Sequence, residues 1–295
     1  MLSVSVGALI AVVVLLHALL RRAVTLTVHL APRPPATVTR SSLWLRTRLA
    51  QSVFAERHPV FARLLRDRFD PHQFSGVPLT LLAGAGIYVV LLFSGLAEDV
   101  LETEGVIRFD DLVNAAFAAW RVEPLITAFI WITTLGSSPA VVSAVIIATG
   151  FLWADRRTHM LAPLWIICAG AVATTSIGKF LIGRHRPNLT IEVSAPFSSF
   201  PSGHTAVAMA VYGFLAYAIA RALPNVQDRF EVAYWTAVLI ALIGLSRIVL
   251  GVHYLTDVAG GYLVGTFWLL LGFAIAEWTR SRRETPLGDS KKDAA

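Results

Sequence analysis

The chain has 295 residues, of which 56% are hydrophobic and 15% are charged, and its mean hydropathy is +0.65. Soluble domains average about 45–50% apolar and about 25% charged residues, so this composition excludes a disordered chain and disfavours a water-soluble globule. The net charge of +6 comes from basic residues between apolar blocks, where membrane orientation explains them without a nucleic-acid partner. We therefore expect an integral membrane protein that does not bind nucleic acid.

In chain order, several apolar blocks approach the roughly 20 residues that a helix needs to cross a bilayer. The seven blocks cover residues 2–20, 77–97, 137–154, 160–182, 204–223, 232–250 and 257–278. They predict an all-α, polytopic membrane helical bundle. The first block has a signal peptide as its alternative interpretation. However, no positive residue precedes it, and Arg21 and Arg22 follow it directly, which favours a retained signal anchor.

Basic residues in the connections predict the orientation, because cytoplasmic loops are enriched in Lys and Arg. Most of the arginines lie in four segments: the connections after the first, third and fifth blocks, and the C-terminal tail. Because the spans alternate in direction, these four segments lie on the same side of the membrane. The opposite face receives the acidic segment 98–111 and the connections 183–203 and 251–256. We expect a cytoplasmic (inner) membrane protein with its N-terminus outside and its C-terminus in the cytoplasm.

The chain divides into four predicted regions. These are an N-terminal transmembrane helix (residues 1–22), a cytoplasmic basic segment (23–76), a six-helix core (77–278) and a cytoplasmic tail (279–295). The basic segment fits amphipathic helices on the inner membrane surface or, alternatively, an ordinary solvated helix pair. Within the core, the helical stretch 109–135 is interrupted near Arg121 and Pro124, so we expect an outer-surface helix and then a short or re-entrant segment.

Three segments on the predicted outer face hold charges that orientation does not explain. In the first, Lys179 and Arg186 are two helical turns apart and would share a face if the helix continued to Arg186. Two cations on one face repel each other unless an anion lies between them, which suggests an anion site. The alternative is snorkelling to the interface, which suits Arg184 better than Lys179.

The second segment opens the fifth apolar block. Ser202 is a natural helix N-cap, and Gly203 allows close approach of another group to the backbone. His204 would then lie at a helix N-terminus, where unpaired N–H groups favour an anion. A satisfied surface residue is the alternative interpretation of His204.

The third segment connects the last two blocks. His253 and Asp257 are four residues apart, so the carboxylate can accept a hydrogen bond from one imidazole nitrogen and leave the other nucleophilic. Gly251 permits the turn that brings His253 back toward Arg247. A simple helix-capping pair is the alternative for His253 and Asp257.

Together the three segments place cationic side chains around two histidines, which disfavours a metal site because Lys and Arg repel a cation. This set of cationic side chains is suited to binding an oxyanion. We expect phosphoryl transfer through a covalent intermediate, with one histidine attacking and the other protonating the leaving oxygen, and with no metal or cofactor.

These residues resemble the three signature motifs of the type 2 phosphatidic acid phosphatase superfamily. The matching patterns are Lys179-x6-Arg186-Pro187, Pro201-Ser202-Gly203-His204 and Ser246-Arg247-x5-His253-x3-Asp257. The resemblance covers residues 77–278. It implies a membrane-embedded phosphatase core of six helices that acts on lipid phosphates without metal, and it leaves the N-terminal helix unexplained.

The resemblance also implies a role for each matching residue. His253 is the nucleophile, Asp257 orients it, and His204 is first the general acid and then the base that activates water. The implied phosphate-binding residues are Lys179, Arg186, Arg247, Ser202 through its hydroxyl, Gly203 through its backbone N–H, and Ser246 in a supporting role. Outside the motifs, we hypothesise that Arg184 and His185 contact the substrate.

The expected function is removal of phosphate from a lipid phosphate or pyrophosphate at the outer face of the membrane, through a phosphohistidine. Phosphatidic acid, phosphatidylglycerol phosphate and a polyprenyl pyrophosphate are the candidate substrates. One alternative is a lipid-to-acceptor phosphotransferase that uses the same phosphohistidine. The other is a non-catalytic lipid-binding relative, which the intact signature positions disfavour.

Overall fold

The computed structural model describes residues 2–30, 76–187 and 198–284, and these residues form nine helices and no strand. The helices are α1 (Leu2–Leu30), α2 (Val77–Glu102), α3 (Glu104–Ala118), α4 (Glu123–Thr134), α5 (Ser138–Ala154), α6 (Leu161–Ile182), α7 (Gly203–Ala220), α8 (Val226–Val249) and α9 (Leu255–Glu284). The prediction of an all-α bundle is confirmed. Residues 31–75 of the predicted basic segment and 285–295 of the predicted tail lie outside the described residues, while residues 23–30 continue α1. The bounds of the four regions stay predictions.

Six helices of the described chain are long and apolar enough to cross a membrane. They include α1, α2 and α6 to α9, whereas α4 and α5 qualify only as a pair that is bent by 43° at a short break. The predicted third span is therefore a broken one, and the seven-span prediction holds if this pair counts as one span. Pro139 lies in the first turn of α5, where its missing N–H and fixed φ suit a new helix start after the bend.

The outer surface of the bundle is apolar. Large side chains such as Phe180 and Phe151 are 87% and 74% exposed, and comparable residues surround the other spans. In water this surface would be unfavourable by about 25 cal/mol for each Å² of apolar area. A bilayer removes that penalty, and the chain is a multi-pass membrane protein.

Helix α9 is central, because it packs against α2, α6 and α7. Two of its glycines let α7 approach closely: a Cβ at Gly261 would lie 2.5 Å from the backbone oxygen of Ser202, and one at Gly265 would lie 2.5 Å from that of Ala206. Only hydrogen fits at both positions. The glycine seam therefore brings the N-terminus of α7 against the N-terminal part of α9.

The main hydrophobic core lies between α5, α6, α7 and α9 and includes Val145, Leu164 and Phe214. A smaller cluster packs α4 against the turn between α8 and α9, through Phe129 and Val252. This second cluster fixes the broken span beside the turn that carries the third motif.

Helix α1 contacts α8 through polar groups. His17 Nε2 lies 2.8 Å from Glu231 Oε2, Arg21 Nη1 lies 3.4 Å from Glu231 Oε1, and the Tyr234 hydroxyl donates to the backbone oxygen of Val13. These contacts involve the N-terminal part of α8. They attach the additional helix to the bundle far from the C-terminal end of α8.

We predict that Gly261→Ala lowers the stability of the bundle by about 1–3 kcal/mol, because the added methyl group overpacks the α7–α9 seam. The matched control is Gly84→Ala in α2, where a Cβ would meet nothing within 4 Å. There the substitution should leave Tm unchanged or raise it, since Ala has the higher helix propensity. Thermal unfolding of the purified protein in detergent measures both, and equal Tm values for the two variants would contradict the role of the seam.

Candidate active site

Four helix ends meet at one end of the bundle, which we call the site end. Helices α6 and α8 finish there at Ile182 and Val249, and α7 and α9 begin there at Gly203 and Leu255. Two helix N-termini therefore face this region. Their positive dipole ends favour negative charge, which Asp110 supplies at α9 by accepting the Thr256 N–H.

The first motif leaves its helix earlier than expected. Gly183 has φ +64° and its N–H donates to the Lys179 oxygen at 3.2 Å, so α6 ends at Ile182. The helix thus ends where the fourth apolar block was predicted to end, and the condition under which Lys179 and Arg186 would share a helix face is not met, because a left-handed glycine terminates the helix. Arg186 instead reaches the third motif from a loop, and its Nη1 donates to the Val252 oxygen at 2.8 Å.

The second motif begins α7 as predicted, with Ser202 at the N-cap position. Its side chain makes no capping bond to the backbone, and its Oγ instead accepts a hydrogen bond from Thr205 Oγ1 at 2.9 Å. The Ser202 N–H donates to the Asp257 oxygen at 2.9 Å, which joins the second motif to the third. A Cβ on Gly203 would lie 3.8 Å from Lys179 Nζ, so the ammonium of the first motif lies at the N-terminus of α7.

The third motif turns back on itself at Gly251, which has φ +67°. As a result, the N–H groups of Val252 and His253 both donate to the Arg247 oxygen, at 3.1 and 3.2 Å. His253 Nδ1 lies 3.3 Å from Asp257 Oδ2. The predicted pair thus forms, although His253 lies in the turn before α9 and not on one helix with Asp257.

The two ring nitrogens of His253 face different groups. Since Nδ1 contacts the Asp257 carboxylate, we place the ring proton on Nδ1, which leaves a lone pair on Nε2. The Nε2 atom lies 3.5 Å from Arg186 Nη1. Burial lowers the pKa of His253 to about 4; the charges of Arg247 and Arg186 also lower it, and Asp257 partly opposes the shift. At neutral pH the imidazole is therefore uncharged and able to act as a nucleophile.

The remaining predicted cations and His204 join the same cluster. Arg247 is 8% exposed, and its Nη1 donates to Thr133 Oγ1 of α4 at 2.8 Å. His204 lies within electrostatic range of Arg247, His253, Lys179 and Arg186. Helices α4, α6, α7 and α8 and the turn before α9 therefore all contribute to one cationic site around two histidines.

Ser246 differs from the other predicted residues. Its side chain is fully buried, and its hydroxyl donates to the Ile243 oxygen of the same helix at 2.5 Å. The structure directs this hydroxyl along α8 and not toward the histidines. The supporting role of Ser246 in phosphate binding stays a prediction.

Carboxylates hold the guanidinium of Arg184, and the hypothesis that Arg184 also contacts the substrate stays a prediction. Nη1 donates to Asp257 Oδ1 and Thr256 Oγ1, each at 2.7 Å, and Nη2 donates to Asp110 Oδ2 at 2.7 Å. Burial alone lowers the pKa of Arg184, but Asp257 and Asp110 more than offset it, so the pKa is raised. The neighbouring His185 is exposed.

Sequence reasoning missed three residues that shape the site. Asp110 is fully buried and accepts hydrogen bonds from the N–H and hydroxyl of Thr256, and Thr133 binds Arg247. Arg121 Nε donates to the Val249 oxygen at 2.9 Å, which holds the end of α8. For Asp110 alone, the sequence held an indication. The motif segments contain more cations than one aspartate can balance, which is consistent with a further carboxylate nearby.

Within the described residues, the cluster contains four cationic side chains and two carboxylates. The cations are Lys179, Arg184, Arg186 and Arg247, and the carboxylates are Asp110 and Asp257. Before the histidines are counted, these six described side chains sum to a net charge of +2, from four cations and two carboxylates. A phosphate monoester carries about −1.5 to −2 at neutral pH, so the cluster is matched to it in charge.

Comparison with known proteins also indicates a site for phosphate. The family model for the PAP2 superfamily matches residues 159–281. Phosphatidylglycerophosphatase B of Bacillus subtilis (strain 168) is 30% identical over 187 residues, which cover 62% of this chain and 92% of that protein.

Two solved structures are also similar. The crystal structure of a transmembrane PAP2-type phosphatidylglycerolphosphate phosphatase from Bacillus subtilis aligns with a TM-score of 0.62 and 28% identity, covering 68% of this chain and 98% of that chain. The Aquifex aeolicus LpxE structure aligns with a TM-score of 0.46 and 24% identity, over 59% of this chain and 97% of that chain.

The matched family region contains all three motifs, from Lys179 to Asp257. The Bacillus phosphatase is matched over nearly its whole length, and its fold is shared. The chain therefore belongs to the PAP2 superfamily, and it is a membrane phosphatase that hydrolyses phosphoester bonds.

Proposed function

We propose that this protein removes phosphate from a lipid phosphate or pyrophosphate through a phosphohistidine at His253, at the outer face of the cytoplasmic membrane and without a metal ion. The observation that carries the proposal is the environment of the His253 ring. Its Nδ1 contacts Asp257 and its Nε2 lies 3.5 Å from Arg186 Nη1. The nucleophilic nitrogen thus lies beside a cation that can hold the phosphate.

In the first step, His253 Nε2 attacks phosphorus and the bond from phosphorus to the leaving oxygen breaks. His204 enters this step protonated and donates its proton to that oxygen, so the lipid alcohol leaves neutral, or the lipid monophosphate from a pyrophosphate leaves with one negative charge fewer. Asp257 stabilises the positive charge that develops on the His253 ring. Lys179, Arg186 and the N-terminus of α7 stabilise the equatorial oxygens.

In the second step, His204 takes a proton from a water molecule, and the resulting hydroxide attacks the phosphohistidine. The bond between phosphorus and Nε2 breaks, inorganic phosphate leaves, and His253 returns to its neutral form. The same cations stabilise both transition states, because both carry charge on the same three oxygens. The positive charge of the cluster also disfavours a metal ion at this position.

The relatives indicate which substrates to test first. Two of them carry the names phosphatidylglycerophosphatase B and phosphatidylglycerolphosphate phosphatase. We therefore place phosphatidylglycerol phosphate first, followed by phosphatidic acid and a polyprenyl pyrophosphate. All three molecules combine a phosphate with apolar chains, which fits a charged site at the end of an apolar, membrane-facing bundle.

We predict that the purified protein releases inorganic phosphate from at least one of these lipids in mixed micelles containing EDTA. His253→Ala should reduce kcat by about 10⁴-fold or more, because loss of a nucleophile removes the covalent route. The matched control is His17→Ala, at a histidine of α1 that contacts Glu231 and not the cluster. A colorimetric phosphate assay measures all three proteins.

Two results would contradict this mechanism. One is activity that EDTA abolishes and a divalent cation restores. The other is phosphate release by His253→Ala at a rate near that of the wild type.

We also predict that His204→Ala accumulates phosphohistidine with p-nitrophenyl phosphate. Nitrophenolate leaves readily without a proton donor, so the first step proceeds, whereas hydrolysis of the intermediate still lacks its base. A burst of nitrophenolate should precede a slow phase. Acid-labile, base-stable phosphate should be found on His253 by mass spectrometry, and its absence during a measurable burst would exclude His253 as the phosphorylated residue.

A labelling experiment tests the predicted orientation of the protein in the membrane. Cys168 is the one cysteine of the chain and is buried, so Cys168→Ala provides a background for single cysteines. Gly105 lies at the site end and Ala222 at the opposite end, and both are exposed. In spheroplasts, a membrane-impermeant maleimide should label Gly105→Cys and should label Ala222→Cys only after permeabilisation. The reverse pattern would place the site in the cytoplasm.

A further inference from the structure

We propose that Asp110 and Arg184 are positioning residues that hold Asp257 against His253, so that α3 contributes to the reaction from outside the three motifs. The proposal rests on the proposed function of His253 as the nucleophile. Neither residue belongs to the motifs, and both contact Asp257 or the adjacent Thr256. Each acts on the reaction through Asp257.

The bonds of Asp257 show why its orientation depends on Arg184. Oδ2 contacts His253 Nδ1 at 3.3 Å and accepts the Tyr254 N–H at 2.9 Å, while Oδ1 accepts Arg184 Nη1 at 2.7 Å. The carboxylate is fully buried. Because both oxygens are held from opposite sides, the group cannot rotate without breaking a charge-assisted hydrogen bond in a low-dielectric environment.

Asp257 also has competing partners. Lys179 and Arg186 lie within electrostatic range of it, and both are needed for phosphate. A carboxylate that turned toward them would leave His253 and would neutralise the charge that binds the substrate. Arg184 donates to Asp257 Oδ1, which opposes a turn of the carboxylate toward those two cations.

Asp110 fixes Arg184 in that position and also binds α9. Its Oδ2 accepts from Arg184 Nη2 at 2.7 Å and from the Thr256 hydroxyl, and its Oδ1 accepts the Thr256 N–H at 3.2 Å. Thr256 lies in the first turn of α9, immediately before Asp257. A carboxylate at this helix N-terminus is favourable, and it sets the position of the turn that carries Asp257.

The geometry requires arginine at position 184. One guanidinium donates to two carboxylates through different nitrogens, and it also lies 4.4 Å from the centre of the Tyr254 ring. A lysine ammonium is a single point charge and does not reproduce this planar bridge.

The test compares Arg184→Gln, Arg184→Lys and Asp110→Asn with the wild type, using phosphate release for kcat and KM and inorganic phosphate as a competitive inhibitor for Ki. We expect kcat to fall about 10- to 100-fold in each, as for other residues that orient a reacting group. KM and the phosphate Ki should change less than about threefold, since the phosphate ligands remain. Arg186→Gln should instead raise the phosphate Ki.

Matched controls come from the same helix. Asp111→Asn changes the adjacent, exposed aspartate, and Arg108→Gln changes an exposed arginine that pairs with Glu104. Both should retain wild-type kcat. The double variant Asp110→Asn/Arg184→Gln should lose no more than Arg184→Gln alone, because residues that act as one unit are not additive.

A spectroscopic measurement gives a readout that does not depend on turnover. In ¹⁵N-histidine-labelled protein, the His253 signals, assigned by their loss in His253→Gln, should show the Nδ1–H tautomer in the wild type and a tautomer mixture in Arg184→Gln. If Arg184→Gln fails to fold, as shown by its Tm, Asp110→Asn and Arg184→Lys provide the same comparison.

Three results would overturn the positioning role: unchanged kcat in Arg184→Gln, a phosphate Ki raised as much as in Arg186→Gln, or an unchanged His253 tautomer. Failure of the proposed function has a different signature. In that case the wild type releases no phosphate or His253→Ala remains active, whatever the Arg184 variants do.

Discussion

Charge burial at one end of an apolar bundle is the constraint on which the site depends. Four cations and two carboxylates lie close together there, and every mutual repulsion is stronger than it would be in water. Two arrangements relieve it. Asp110 and Asp257 enclose Arg184, and the remaining cations surround the position proposed for the phosphate. Without a ligand, the net positive charge of this buried cluster is unfavourable. The same charge favours the binding of a dianion.

The backbone makes this concentration of charge possible. Glycines on α9 bring α7 close enough for the Ser202 N–H to reach the Asp257 oxygen, at 2.9 Å. The break between α4 and α5 contributes as well, since a Cβ at Gly136 would lie 3.3 Å from His204 Cβ and Thr133 binds Arg247. Close helix approach and a broken span together move the motif side chains into contact.

Much of this architecture could be predicted from the sequence, because local patterns encode it. Apolar blocks of bilayer length predicted the spans, and the spacing of Lys179, Ser202, His204, His253 and Asp257 identified the residues that the structure brings together. Two local features of the site are not visible in the spacing alone. Gly183 adopts a left-handed conformation that ends α6, and Ser246 donates its hydroxyl to its own helix.

By itself, then, the sequence determined the membrane class, the order of the spans and the candidate residues for catalysis. Only the tertiary structure decided what Arg184 does, since its partners Asp110 and Asp257 are 74 and 73 residues away along the chain. It also decided that Asp110 is buried whereas the adjacent Asp111 is exposed. Burial and long-range ion pairing depend on how helices pack, and neighbouring residues of the same type carry no sequence signal that separates them.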